Sequence, residues 1–174
     1  MHSKQLFAEL GEFLVAFQSV EAALVELIIK VADSDSEYVA ALTAELEFNS
    51  KARALDIIFT RFAQIHGVTD ESPHPEFHKL MARVQKLAAR RNDIVHSFYN
   101  IFITVEGQVG IRRKPTKLKP SEGIREQLHE EILSGKLQAE IAEIKSLLSE
   151  LESYRLKAID LLYPTEEGEK TTSS

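Results

Sequence analysis

The stretch from Phe77 to Glu106, FHKLMARVQKLAARRNDIVHSFYNIFITVE, changes its hydrophobic period partway along, and that change decides the fold. Up to Phe98 the apolar residues fall at Phe77, Met81, Val84, Ala88, Val95 and Phe98, steps that put a stripe on one side of a helix. From Ile101 the period becomes two: Ile101, Ile103 and Val105 alternate with Phe102, Thr104 and Glu106, and Val109 and Ile111 resume beyond Gly107. The spacing therefore predicts a helix from about Glu76 to Phe98 followed at once by a small β-hairpin.

Helices flank this junction on both sides. From Lys4 to Val31 the stripe is Leu10, Leu14, Phe17, Leu24, Ile28 and Val31, widened by Phe7, Phe13, Val20 and Leu27. Asp33 to Ser36 is a polar break rich in N-cap residues, and a second helical region runs from Glu37 to about His66, divisible where Asn49-Ser50 would cap a new start. Gly67 ends it before a loop from Val68 to Pro75. Beyond the hairpin, Arg112 to Pro120 holds five cations and two prolines and reads as a basic arm. Ser121 to Lys136 reads as a short helix ended near Gly135. A last helix runs to about Tyr163 on Leu137, Ile141, Ile144, Leu148 and Leu151. The expected fold is all-α, an antiparallel four-helix bundle with a β-hairpin between the third and fourth long helices. It forms one domain over residues 1–164, with a disordered polar tail over 165–174.

Composition narrows the chemistry. With 174 residues, 44% of them hydrophobic, the chain can bury a core, and no apolar run approaches 18 residues. A soluble, cytoplasmic protein with no membrane partner is expected. The absence of cysteine excludes disulfides, thiolate zinc sites and a thiol nucleophile. A net charge of −6 does not attract nucleic acid globally, so any phosphate contact needs a local patch. Arg112, Arg113, Lys114, Lys117 and Lys119 supply one, read either as RNA contacts or as a solvated loop. His66, His74 and His78 cluster near one loop, and His74 and His78 have metal-compatible spacing. Pro75 and the lack of a well-placed carboxylate argue against a site, so no metal or cofactor is expected. No Gly-rich phosphate loop, nucleophile elbow or serine triad is present.

Two charges sit in the stripes where apolar residues belong. The first helix places Glu21 in the series 10, 14, 17, 21, 24, 28, 31, and the third places Arg91 in 77, 81, 84, 88, 91, 95, 98. A lone buried charge costs several kcal/mol by order of magnitude, so each needs a partner, and the simplest pairing joins Glu21 to Arg91. That pair would be structural on one reading and part of a phosphate site on the other, since the guanidinium fork fits a carboxylate or a phosphate equally. Asn92 and His96 lie one turn apart on one face, while Arg91 is roughly 140° from His96 at ~100° per residue. His96 is read either as a helix-end capping residue or as an acid–base group.

The run Arg91-Asn92-Asp93-Ile94-Val95-His96 resembles the Arg-polar-x-x-x-His signature of HEPN domains. Phe17 to Leu24, centred on Glu21, is similar to the acidic first helix of many members. The resemblance implies a metal-independent endoribonuclease, a microbial toxin or defence effector, that leaves a 2′,3′-cyclic phosphate and a free 5′-hydroxyl. It implies His96 as general base or acid, Arg91 on the scissile phosphate and Asn92 orienting the histidine, with Glu21 and Asp93 in support. It also implies a homodimer with two copies of the motif in one cleft, an RNA substrate, and an antitoxin or regulatory protein as partner. The alternative is a HEPN-like module that binds RNA or protein without cleaving.

Overall fold

The computed structural model describes residues 2–67, 74–114, 118–119, 124–125 and 129–164. Five helices occur among them: α1 (His2–Ala32), α2 (Ser36–Ala44), α3 (Phe48–Ile65), α4 (His74–Val95) and α5 (Gln138–Leu162). Strands β1 (Phe98–Ile103) and β2 (Val109–Lys114) form the expected hairpin, and β5 (Glu130–Ile132) joins it to give an antiparallel sheet in the order β1, β2, β5. β3 (Leu118–Lys119) and β4 (Ile124–Arg125) pair separately. The fold is thus mostly helical with a small sheet. No helix of the described residues is long and apolar enough to cross a membrane.

Several expectations change. The second helical region divides at residues 45–47, slightly before Asn49, and Asp35 caps α2 by accepting from Glu37 and Tyr38 N–H. The third expected helix is α4, and it stops at Val95, so Phe98 opens a strand. The short helix expected over Ser121–Lys136 is replaced by strand pairing at Glu130–Ile132 and at Ile124–Arg125. Its weak helical pattern is outcompeted because Glu130 and Glu131 find Arg113 and Arg112 directly across the ladder. Arg112, Arg113 and Lys114 accordingly belong to β2 rather than to an arm. The expected tail, Lys117 and the loop tip at 68–73 lie outside the described residues.

The contacts divide the chain into two compact units. One comprises residues 1–20 and 85–146, and the other residues 21–84 and the chain from Leu147 onward. In the first, α1 buries Leu6, Phe13, Phe17 and Val20, whereas Leu10 and Leu14 are only half-buried. The buried stripe therefore keeps Phe13, Phe17 and Val20 of the predicted one but not Leu10 and Leu14, and each fully buried side chain of this size contributes roughly 1.5–3 kcal/mol. It also carries a carboxylate the periodicity did not flag. Glu9, 3% exposed, accepts from Gly135 N–H at 2.7 Å and Ser134 Oγ at 3.2 Å, fixing the turn that leads into α5. Gly135 adopts φ +89°, a conformation that costs other residues strain. In the sheet, Gly110 lies under the ring of Phe102, where an added Cβ would come within 2.6 Å.

The second unit is built on aromatic packing. Phe59 of α3 stacks on Phe77 of α4 at 4.1 Å, and Tyr154 of α5 meets both rings edge-on at 5.3 and 4.7 Å. Glu21 belongs here.

Candidate functional site at the end of helix α4

A helix end leaves its last carbonyls without intrahelical donors, and in α4 those of Asn92, Asp93 and Ile94 find partners. Asn92 O accepts from His96 N–H at 3.0 Å. Asp93 O accepts from Ser97 Oγ at 2.5 Å and from Arg113 Nη1 at 3.0 Å, and Ile94 O accepts from the Tyr99 hydroxyl at 2.5 Å. Burial of Tyr99 pushes its hydroxyl pKa up, keeping it protonated as the donor. Arg113 places positive charge at the negative end of the helix dipole. These bonds tie the last turn to β1 and β2, and they fix the backbone that carries Arg91, Asn92 and His96.

Arg91 is half-buried, with its guanidinium 5.5 Å over the Phe17 ring and its Nη1 donating to Asn92 Oδ1 at 3.1 Å. Its Nε is buried with no hydrogen-bond partner. Among the described residues five arginines are half-buried: Arg83, Arg90, Arg91, Arg113 and Arg155. The other four reach a glutamate, at distances from 2.6 to 2.9 Å, and Arg91 does not. Asn92 and His96 are exposed, one turn apart. The structure thus joins Arg91 to Asn92 by a hydrogen bond, despite the angular separation of Arg91 from His96, and places the imidazole next along the same face.

The expected pairing of Glu21 with Arg91 is overturned. Glu21 accepts from Lys51 Nζ at 2.7 Å, with the lysine side chain 9% and the glutamate 28% exposed. The lysine was not singled out by the sequence because it lies thirty residues away on another helix. Asp93 enters the site through its carbonyl, as described.

Three of the cations expected to meet RNA are already engaged. Arg113 Nε bonds Glu130 at 2.9 Å, Arg112 Nη2 bonds Glu131 at 2.7 Å, and the amide oxygen of Asn100, in the orientation that satisfies both its hydrogen bonds, accepts from Lys114 Nζ at 3.1 Å. Lys119 lies in β3. Glu130 is the centre of this network, because Arg90 grips it with two bonds of 2.7 and 2.8 Å while also bonding Glu140 at 2.8 Å. The Arg90 hydrogen bonds, assisted by Arg113 and opposed by burial, hold the Glu130 carboxyl down at about 2 and raise the pKa of Arg90.

Periodicity also missed a pairing in the other unit. His78 Nδ1 lies 2.6 Å from Asp56 Oδ2, so this histidine has the carboxylate neighbour that its sequence context did not reveal. Asp56, Ile57, Thr60, Pro75 and His78 line an open cavity of about 400 Å³. No group of three His, Asp or Glu residues suited to a metal ion occurs among the described residues.

Chemically, the end of α4 offers a cation with no carboxylate partner, an amide and an accessible imidazole on a backbone pinned from two strands. Such a set can grip an anion and move a proton beside it. The chain matches no family model, no curated protein and no solved structure.

Proposed function

We propose that Arg91, Asn92 and His96 form the active site of a metal-independent endoribonuclease of the HEPN type, carried on a four-helix bundle. The observation that supports this best is Arg91, a half-buried guanidinium without a carboxylate, left with charge and donors for a phosphate. In this reading the RNA 2′-oxygen attacks the adjacent phosphorus as its proton passes to a base. The bond from phosphorus to the 5′-oxygen breaks, and that oxygen takes up a proton. A 2′,3′-cyclic phosphate and a free 5′-hydroxyl result. His96 serves one of the two proton transfers, Arg91 stabilises the charge on the phosphoryl oxygens, and Asn92 orients the group beside it. A cytoplasmic toxin or defence effector held in check by a regulatory protein is the setting that goes with this chemistry.

A second reading, a module that binds RNA or protein without cleaving, draws support from Glu130 and Glu131. They neutralise two of the cations that would otherwise track an RNA backbone. Purified protein incubated with RNA and a chelator separates the two. The enzyme reading expects cyclic-phosphate ends and a loss of about 100-fold or more in rate for His96→Ala with the fold intact. Undiminished cleavage by that variant, or none by the parent, removes the assignment.

A further inference from the structure

Helix α2 exposes the larger of its apolar side chains and buries the smaller. It is nine residues long, a length at which an isolated helix is marginal in water, yet it buries only Val39 and Thr43. The Thr43 hydroxyl turns back on its own helix, donating to Val39 O at 2.9 Å and to Ala40 O at 3.1 Å, so Val39 is the one aliphatic side chain that α2 gives to the core. Every other residue of the helix is exposed. Tyr38 and Leu42, its two largest side chains, are 73% and 75% exposed. Each precedes a buried residue by one position, so the two stand one turn apart in a row displaced by ~100° from the buried row. Ala41 widens this ridge.

The charge around the ridge has one sign. From Asp33 to Ser50 the sequence holds Asp33, Asp35, Glu37, Glu45 and Glu47 and no lysine, arginine or histidine, in a chain whose whole net charge is −6. All five acids are exposed, and none forms an ion pair among the described residues. They bracket the ridge, with Asp35 and Glu37 at its start and Glu45 and Glu47 at its end. That charge chooses among partners. RNA and anionic lipid headgroups are repelled. A second copy that laid its own α2 on this one would set acids against acids. The complement is an apolar row at helical spacing with cations on either side. We infer that α2 docks a cationic amphipathic helix of a partner protein, whose apolar residues at i, i+3, i+4 and i+7 pack along Tyr38 and Leu42 while flanking lysines and arginines reach Glu37 and Glu45.

In this interface the two exposed side chains supply the buried centre, and the acids supply a rim that steers encounter and fixes orientation. The partner helix also covers α2 on a side where its own chain leaves it bare. Because α2 carries none of Arg91, Asn92 or His96, the surface stands apart from the catalytic reading and does not depend on it.

The full chain can be titrated, by fluorescence anisotropy, into labelled synthetic peptides of about 20 residues, long enough to form a helix. One carries leucine along a single helical face and lysine elsewhere, a second has the same composition scrambled so that no apolar face forms, and a third has glutamate in place of lysine. The first is expected to bind at least about tenfold more tightly than the other two, and less tightly as salt is raised. Leu42→Ala, an exposed helical position at which alanine is favourable, is expected to weaken that binding at least about tenfold, whereas Ile65→Ala, at a site 64% exposed on α3, leaves it unchanged. Glu37→Gln combined with Glu45→Gln should weaken it and flatten its salt dependence. No binding of the first peptide, equal binding of the scrambled one, or equal loss from Leu42→Ala and Ile65→Ala overturns the inference. Self-association of the parent chain that Leu42→Ala abolishes would give the ridge to a second copy and overturn it as well.

Discussion

Around Arg90 the end of α4 is locked by charge: Arg90, two glutamates and a second arginine share four short hydrogen bonds, counting the two from Arg90 to Glu130. One residue further, Arg91 leans on a phenylalanine ring and an asparagine, and its Nε meets nothing. The two arginines are adjacent in sequence and similarly half-buried, so neither residue type nor depth accounts for the difference. What differs is direction. Successive residues of a helix point ~100° apart, and only the Arg90 direction looks onto the acids of β5 and α5. A guanidinium whose neighbours are neutral keeps its affinity for anions, while one enclosed by carboxylates has spent it on structure.

The sharpest way to break this contrast is to remove each arginine in turn. Arg91→Ala is expected to lower RNA cleavage by about 100- to 1,000-fold, as loss of a charge-stabilising donor does, while costing only about 1 kcal/mol of stability or less. Arg90→Ala is expected to do the opposite. It leaves Glu140 without its arginine and Glu130 with Arg113 but not Arg90, both under one-third exposed, and costs about 2–3 kcal/mol in chemical denaturation. Cleavage per folded molecule should fall less than about tenfold. Equal losses of stability in the two variants would show that the adjacent arginines are not electrostatically distinct.

The contrast was half legible in the chain. Period alone located α1, α4, the hairpin and α5, because apolar spacing is a local property. It also identified Glu21 and Arg91 as charges that required an explanation. It could not supply the partners, since Lys51 sits thirty residues from Glu21 and is recognisable only once α1 and α3 lie side by side. Reading Arg112 and Arg113 as an arm failed for a related reason. Their neutralisers, Glu130 and Glu131, are seventeen to nineteen residues downstream in a segment with no strand propensity of its own, stabilised as β5 by those very pairs. The last turn of α4 shows a subtler error: strict continuation of the seam selected Val95, but Ile94 is the residue at 2% exposure and Val95 is 41% exposed. Side chains near a helix end answer to the sheet that caps it as much as to helical period.

Acid sharpens the same comparison from the side of the locked arginine. The Glu130 carboxyl titrates at about 2 in the folded chain against an ordinary value of 4.5. A depressed carboxylate stabilises the fold fully above its unfolded pKa and progressively less as pH falls toward its folded one. The contribution, on the order of 3 kcal/mol, should therefore be intact at neutral pH and decline between about pH 4.5 and pH 2. Denaturation midpoints measured across that window should drop for the parent and show a shallower decline for Arg90→Ala, in which the main cause of the depression is gone. Arg91→Ala should track the parent in slope. If removing Arg90 leaves the acid limb unaltered, the lock is not what stabilises this end of the helix.

The smallest effect concerns the charge that was expected to hold Arg91 and instead holds Lys51. The lysine side chain is 9% exposed and the glutamate 28%, so the two halves of this 2.7 Å pair are unequally dependent on each other. Glu21→Gln leaves a nearly buried ammonium with only an amide for company and should cost about 1–2 kcal/mol. Lys51→Met leaves a carboxylate that can turn toward water, and replaces the lysine stem with an apolar chain of similar length, so its cost should be below about 1 kcal/mol. The order of the two losses tests whether burial, rather than the bond itself, sets the value of the pair. Neither substitution should alter RNA cleavage, because the glutamate serves α3 and not the guanidinium. A fall in cleavage for Glu21→Gln without a matching fall for Lys51→Met would tie Glu21 to Arg91 after all. Arg91 would then stand closer to its neighbour Arg90, as a second arginine whose charge is already spoken for.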